Sequence, residues 1–328
     1  MNFPDYPTPV TIQPLKSHRQ TIILLHGRGS NGTSFGRQIL STPFPPPPPL
    51  SPNSPSGILT LGDAFPHAKF VFPTAPQRHP QQYKSDIINQ WFDLWWLRPS
   101  SSATDGNGDR PFPFERDSVQ SSGLRESTGF LHDLLQREIA LVEGGAKNVL
   151  LGGLSQGCAT GLVAYLLWDG VGEGGERREA LGALVGFCGR LPFERRVRSI
   201  LAGGTVDGEK VNQPSGTDGE VENKFSIGND TVGNAIDFFR EELEIPLPPG
   251  LPSSSHDFLF QRTPLFLGHG VEDATVPIRL GREAVTCFEA LGMNVSWNEY
   301  EELGHWYSDS MLSDFVKFVR EKTDWELE

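Results

Sequence analysis

The chain has 328 residues, 37% hydrophobic and 21% charged, with 7 Trp and 21 Phe, which supplies a sizeable core and excludes wholesale disorder. A formal net charge of −13 opposes a polyanion over the average surface, so no nucleic-acid partner is expected. No run of about 18 apolar residues is present to cross a membrane, and the first residues lack the basic start and apolar stretch of a secretory signal. Three cysteines (Cys158, Cys188 and Cys287) are few and odd in number, which argues against a disulfide framework and for a cytoplasmic or nuclear setting. Glycine (36) and proline (27) approach one residue in five, against a usual ~12%, so long loops are expected.

In chain order, residues 21–25 read as a buried strand that runs into a Gly-rich loop. Residues 41–57 (STPFPPPPPLSPNSPSG) favour an extended polyproline conformation; they suit an SH3- or WW-type partner or, more plainly, a solvated spacer. A second strand is predicted at 69–72. Phe92, Trp95 and Trp96, in WFDLWWL, either line an apolar pocket or belong to the core. Residues from about 98 to 122 are rich in Ser, Asp, Gly and Pro and read as a second insertion. A helix is predicted over about 123–143, its apolar face formed by Phe130, Leu131, Leu134, Leu135, Ile139 and Leu141. A strand at 148–151, a helix at 155–167 and a strand at 181–187 follow.

The third insertion, about 203–258, contains one helical stripe: Val232, Ile236, Phe239 and Leu243, after a capping candidate at Asp230 or Thr231 and before Pro246. That helix is either a lid or a surface helix packed on the body. Strands at 264–267 and 294–300 and helices at 280–291 and 309–321 complete the pattern. Strands alternating with helices imply βαβ units, hence an α/β fold with a mostly parallel sheet covered on both faces, read as one domain over 1–328 with three surface insertions.

The sharpest chemical signal is Gly153-Leu154-Ser155-Gln156-Gly157, set between the strand NVLLGG and the helix CATGLVAYLL. In that context G-x-S-x-G is a nucleophile elbow: a tight strand-to-helix turn that lifts a serine hydroxyl clear of the sheet at a helix N-terminus. Serine is a weak nucleophile at neutral pH and needs a base held by an acid, in the chain order Ser, acid, His. Asp273 follows the 264–267 strand, and the Ala-Thr-Val-Pro run after it fixes its loop, which favours it over Glu272 and Glu301. His305 follows the 294–300 strand. Of the 8 histidines it alone has both the order and the strand edge; His26 and His269 read as structural turn residues. The developing oxyanion needs two N–H donors. The amide of Gln156 is one. The other is assigned to Arg28, in a loop whose Gly27, Gly29, Ser30 and Gly32 allow close backbone approach. A phosphate cradle is the rival use of such a loop, but the Walker lysine and the full dinucleotide pattern are missing. No HExxH or paired CxxC occurs, so neither a metal nor another cofactor is expected.

LLHGRGSNG, FVFPTAP (70–76), Trp91-Phe92-Asp93, GGLSQG, GFCGRLP (186–192), HGVEDATVP and YEELGH, in this order, resemble the acyl-protein thioesterase or phospholipase/carboxylesterase family of α/β-hydrolases. The resemblance spans about residues 20–320. It implies an α/β-hydrolase fold, a triad of Ser155, Asp273 and His305, and oxyanion donors at Arg28 and Gln156. The implied substrate is an acyl ester or thioester: a small molecule, a lipid or an acylated protein. Where the family commonly reads Leu-Gly-Asp after the first His-Gly, this chain has Arg28-Gly29-Ser30, which leaves a backbone donor intact. A catalytically idle hydrolase-like binding protein and a peptidase on the same fold are the competing readings.

Overall fold

The computed structural model describes residues 6–47, 57–79, 87–94, 118–170, 179–203, 230–247 and 257–325. Seven strands form one sheet: β1 (Val10–Ile12), β2 (Gln20–Leu25), β3 (Ala68–Phe72), β6 (Val149–Leu154), β7 (Ala183–Phe187), β8 (Leu265–Gly270) and β9 (Val295–Tyr300), in the order β1-β3-β2-β6-β7-β8-β9. Only β1 is antiparallel to its neighbour; every other pairing in this sheet is parallel. The short strands β4 (Gln77–Arg78) and β5 (Ile88–Asn89) form a separate two-stranded ribbon.

The central strands read as near-continuous apolar runs because both faces are covered. Ile23, Leu25, Leu151, Leu184 and Leu267 point into one core. Ile22, Leu24, Leu150, Val185 and Phe266 point into the other. The first core is closed by α3 (Ser121–Leu141), α4 (Gln156–Leu166), α5 (Glu194–Leu201), α6 (Thr231–Glu242) and α7 (Ile278–Ala290). The second is closed by α1 (Gly32–Ser41), α2 (Leu61–Ala64) and α8 (Asp309–Lys322), through Phe35, Ile39, Leu61, Phe65, Met311 and Phe315. This is the α/β-hydrolase architecture.

Several expectations need adjustment. Ser41 closes α1 and Ser121 opens α3, so the first two insertions are shorter than the composition suggests. The base of the first is pinched by the antiparallel bridge Phe44–Leu59, whose amides and carbonyls exchange hydrogen bonds of 2.9 and 3.0 Å; most of the proline run lies outside the described residues. On α3, Leu131, Leu134 and Leu135 are buried, whereas Leu141 is 62% exposed because the helix ends there, beyond the layer it covers. The stripe in the third insertion turns inward. Asp230 caps α6 by accepting from the Gly233 amide at 2.8 Å, and Ile236, Phe239 and Leu243 join the first core. Polar straps hold its rim: Arg240 to Asp169 at 2.8 Å and Ser121 to Glu242 at 2.6 Å. Residues of α6 do not line the cleft described next, so the packed-helix alternative describes it.

Candidate active site

Loops that follow β2, β6, β7, β8 and β9 at the carboxyl edge of the sheet converge, together with the 87–94 segment, on one cleft. This is the edge where α/β sheets gather their ligand-binding residues. Ser155 stands between β6 and α4 with φ 56° and ψ −116°, a conformation L-residues rarely adopt and one that costs about 1–3 kcal/mol. The turn is anchored by the Ser155 amide, which donates to the Phe187 carbonyl at 2.8 Å. Both flanking glycines are sterically required. A Cβ on Gly153 would come within 2.6 Å of the Gly157 carbonyl carbon, and one on Gly157 within 2.5 Å of the Leu25 carbonyl oxygen.

His305 lies between the other two residues predicted to act with it. Its Nε2 is 2.8 Å from Ser155 Oγ, and its Nδ1 is 2.6 Å from Asp273 Oδ2. The carboxylate accepts, so Nδ1 carries the proton and the Nε2 lone pair faces the hydroxyl. The imidazole is partly open to solvent, with 22% side-chain exposure, while the Asp273 side chain is fully buried. Burial opposes charge on Asp273. Hydrogen bonds from His269, His305 and the Val276 amide outweigh it and hold the carboxyl far below the usual carboxylate range. Asp273 Oδ1 accepts the Thr275 and Val276 amides at 2.8 Å each, which fixes the rotation of the carboxylate. The two loops are stitched together by backbone bonds from Val271 to Tyr300 and from Glu272 to Leu303.

His269, the turn histidine, is also part of this arrangement. Its Nε2–H donates to the Val276 carbonyl at 2.8 Å and lies 3.2 Å from Asp273 Oδ2. The sequence marked it only as a residue before glycine at a strand end; no spacing announces its contact with Asp273. Cys188, His269 and Asp273 form the cluster of metal-ligand types among the described residues, with donor atoms within 4.8 Å. Burial pushes the Cys188 thiol up to about 12, and the thiol donates to the Trp306 carbonyl at 3.3 Å. The cluster therefore offers a protonated thiol and a carboxylate already engaged by His305, a poor donor set for a cation.

Arg28 and Gln156 both line the cleft beside Ser155. The Gln156 side chain has a role the sequence did not disclose. Its Oε1 accepts the Trp91 amide at 2.9 Å and its Nε2 donates to the Phe92 carbonyl at 2.7 Å, clamping the segment 87–94 to the elbow. That segment in turn braces the loop after β2. The Gly29 amide donates to the Asn89 carbonyl, the Asn89 side chain to the Ser30 carbonyl, and Trp91 Nε1 to the His26 carbonyl. Phe92 is both buried and a wall of the cleft, so pocket and core are not exclusive for it. Trp95 and Trp96 lie outside the described residues. The cleft has a volume of about 240 Å³ and apolar walls that include Phe35, Leu154, Ala159 and Val276.

His26 sets the floor of the same loop. Its Nδ1–H donates to the Gly27 carbonyl at 2.7 Å and its Nε2 accepts the Ala75 amide at 3.0 Å, so only the neutral ring satisfies both bonds. Desolvation lowers its pKa to about 4. Between pH ~6.5 and ~4 the unfolded chain binds a proton here that the folded chain excludes, so stability falls as pH falls through that window, by about 3 kcal/mol in full. Urea midpoints at pH 7 and pH 4 are expected to differ more in the wild-type protein than in His26→Gln; equal differences would contradict this.

Comparison with known proteins bears on the family and the fold. Residues 7–207 and 245–323 match the Phospholipase/Carboxylesterase family, and the gap between them covers most of the third insertion. Acyl-protein thioesterase 1 of Yarrowia lipolytica is 24% identical over 323 residues, covering 97% of this chain and 98% of its own length. Acyl-protein thioesterase 1 of Saccharomyces cerevisiae is 25% identical over 317 residues, covering 94% of each. The crystal structure of Zea mays acyl-protein thioesterase 2 superposes with a TM-score of 0.57 at 22% identity, covering 97% of this chain and 99% of that one. The chain belongs to the phospholipase/carboxylesterase family of α/β-hydrolases.

Proposed function

We propose that the protein hydrolyses carboxylic esters or thioesters through an acyl-enzyme on Ser155, with His305 as general base and acid and Asp273 orienting the imidazole. The observation that carries this reading is the bridging position of His305, 2.8 Å from Ser155 Oγ and 2.6 Å from Asp273 Oδ2. Ser155 Oγ adds to the carbonyl carbon while its proton passes to His305 Nε2. The carbonyl π pair moves to oxygen, and the Arg28 and Gln156 amides stabilise that oxyanion. Collapse expels the alkoxide or thiolate, which takes the proton from His305. Water then repeats the sequence at the acyl carbon, releasing the carboxylic acid and restoring the serine.

Asp273 stays ionised throughout, since its hydrogen bonds favour the charged form, and it stabilises the transient imidazolium. The chain acts as one catalytic unit on this reading, because side chains as far apart as Ser155 and His305, 150 residues, meet at one sheet edge. A cytoplasmic setting suits the unpaired thiols of Cys158, Cys188 and Cys287, and no described helix is long and apolar enough to cross a membrane. A fluorophosphonate, which traps an activated serine, is expected to modify the protein once per chain; an unreactive folded protein would overturn the reading.

A further inference from the structure

Three aromatic side chains are among the described residues that line the cleft. Phe35 and Phe92 are buried, but Trp306 is 41% exposed. An open indole leaves apolar area in water that a bound group can cover. This indole is also held still. One of its faces stacks on Tyr307, with ring centres 5.0 Å apart and planes 30° from parallel. Tyr307 is itself buried, its ring 6.4 Å from that of Phe187 at the end of β7 and its hydroxyl 3.4 Å from Thr42 Oγ1. The Trp306 amide donates to the Gly304 carbonyl at 2.8 Å, and the Trp306 carbonyl accepts the Cys188 thiol. Among the described residues Tyr307 is the one ring stacked on Trp306, so the open side of the indole is its other face. An aromatic fixed in this way loses little freedom when a ligand settles on it.

The chemistry says which part of a substrate meets that face. Once Ser155 Oγ has added to the carbonyl carbon, three substituents remain on it. The oxyanion goes to the backbone amides. The leaving oxygen or sulfur must come within reach of the imidazolium Nε2–H, because it keeps the electron pair of the breaking bond and takes that proton. The acyl chain is left the remaining direction. The leaving group therefore departs on the side of His305, and Trp306, the next residue, lines the same cleft. We propose that Trp306 is a specificity-determining residue whose open face receives the leaving group. The protein then prefers esters or thioesters whose departing part presents a flat, apolar surface beside the scissile bond. This rests on the reading of Ser155 and His305 given above and adds the side of the substrate that is selected.

Three esters test this on the full chain. Phenyl butyrate and 2-naphthyl butyrate share an acyl group and have leaving groups of similar acidity that differ by one fused ring. Phenyl hexanoate lengthens the acyl chain instead. The quantity to read is kcat/KM, because the leaving group is present only up to acylation. In the wild type the naphthyl ester is expected to exceed phenyl butyrate by about fivefold or more, the size of one added aromatic contact. Trp306→Ala is expected to bring that ratio to about twofold or less and Trp306→Phe to keep much of it, with the hexanoate-to-butyrate ratio unchanged in both. A Trp306 that only braces His305 would lower all three rates together and leave the naphthyl-to-phenyl ratio standing. Should Trp306→Ala not fold, Trp306→Gln, a polar residue at an exposed position, is read in its place. A wild-type ratio near one, a ratio that survives loss of the indole, or an acyl-chain ratio that shifts as far as the leaving-group ratio overturns the role of Trp306 while leaving Ser155 as nucleophile. No turnover of any of the three by the wild type overturns both.

Discussion

Ser155→Ala is expected to lower kcat on any ester or thioester by about 10⁴–10⁶ while the protein keeps its fold. The size of the effect follows from what the hydroxyl does and what survives its loss. Without Oγ no acyl-enzyme forms, and the remaining cleft, His305 and oxyanion donors can assist only direct attack by water. The fold should survive because the hydrogen bond of Ser155 Oγ is to a partly exposed imidazole. The strained φ of 56° is imposed by the elbow and is borne by alanine as by serine. Steady-state kinetics with p-nitrophenyl butyrate, alongside thermal melting, checks both halves. Activity within tenfold of wild type in a folded variant would remove Ser155 from the chemistry.

Asp273→Asn is expected to lower kcat by about 10⁴, the size expected when a general-base histidine is held in the wrong tautomer. Asp273 Oδ1 accepts two backbone amides, from Thr275 and Val276. An asparagine at this position must put its carbonyl oxygen there, so its NH₂ faces His305. The imidazole then presents Nδ1 as acceptor and carries its proton on Nε2, where it cannot receive the serine proton. The same substitution places NH₂ beside the Nε2–H of His269, a donor against a donor, costing about 1–3 kcal/mol of stability. A raised KM with unchanged kcat would mean that Asp273 only holds the loop.

The parts of this molecule governed by local rules were readable in the sequence. The buried strands announce themselves as apolar runs, and the elbow is legible because Gly153 and Gly157 answer to steric limits a few residues away. Asp273 and His305 follow from strand order. What the sequence hides is what depends on loops meeting in space. Gln156 looked like a neighbour of the nucleophile, yet its amide clamps Trp91 and Phe92, more than sixty residues earlier in the chain. Arg190 sat within a recognisable block and gave no sign that it shares a wall with Arg28. Helix α1 went unread although Asn31 caps it through the Ser34 amide, because its glycines and polar residues mask a face reduced to Phe35 and Ile39. The α6 stripe was visible, but its burial depends on surfaces that α5 and Phe193 supply only after folding.

The proposed mechanism has one hydroxyl activated because His305 joins it to a buried carboxylate. It is tested most directly by mapping the fluorophosphonate adduct with peptide mass spectrometry, in the wild-type protein and in His305→Ala. A single adduct on Ser155 is expected in the wild type, with labelling at least ~10³-fold slower without the imidazole. An adduct on another residue, or labelling of Ser155 that proceeds equally fast in His305→Ala, would contradict it.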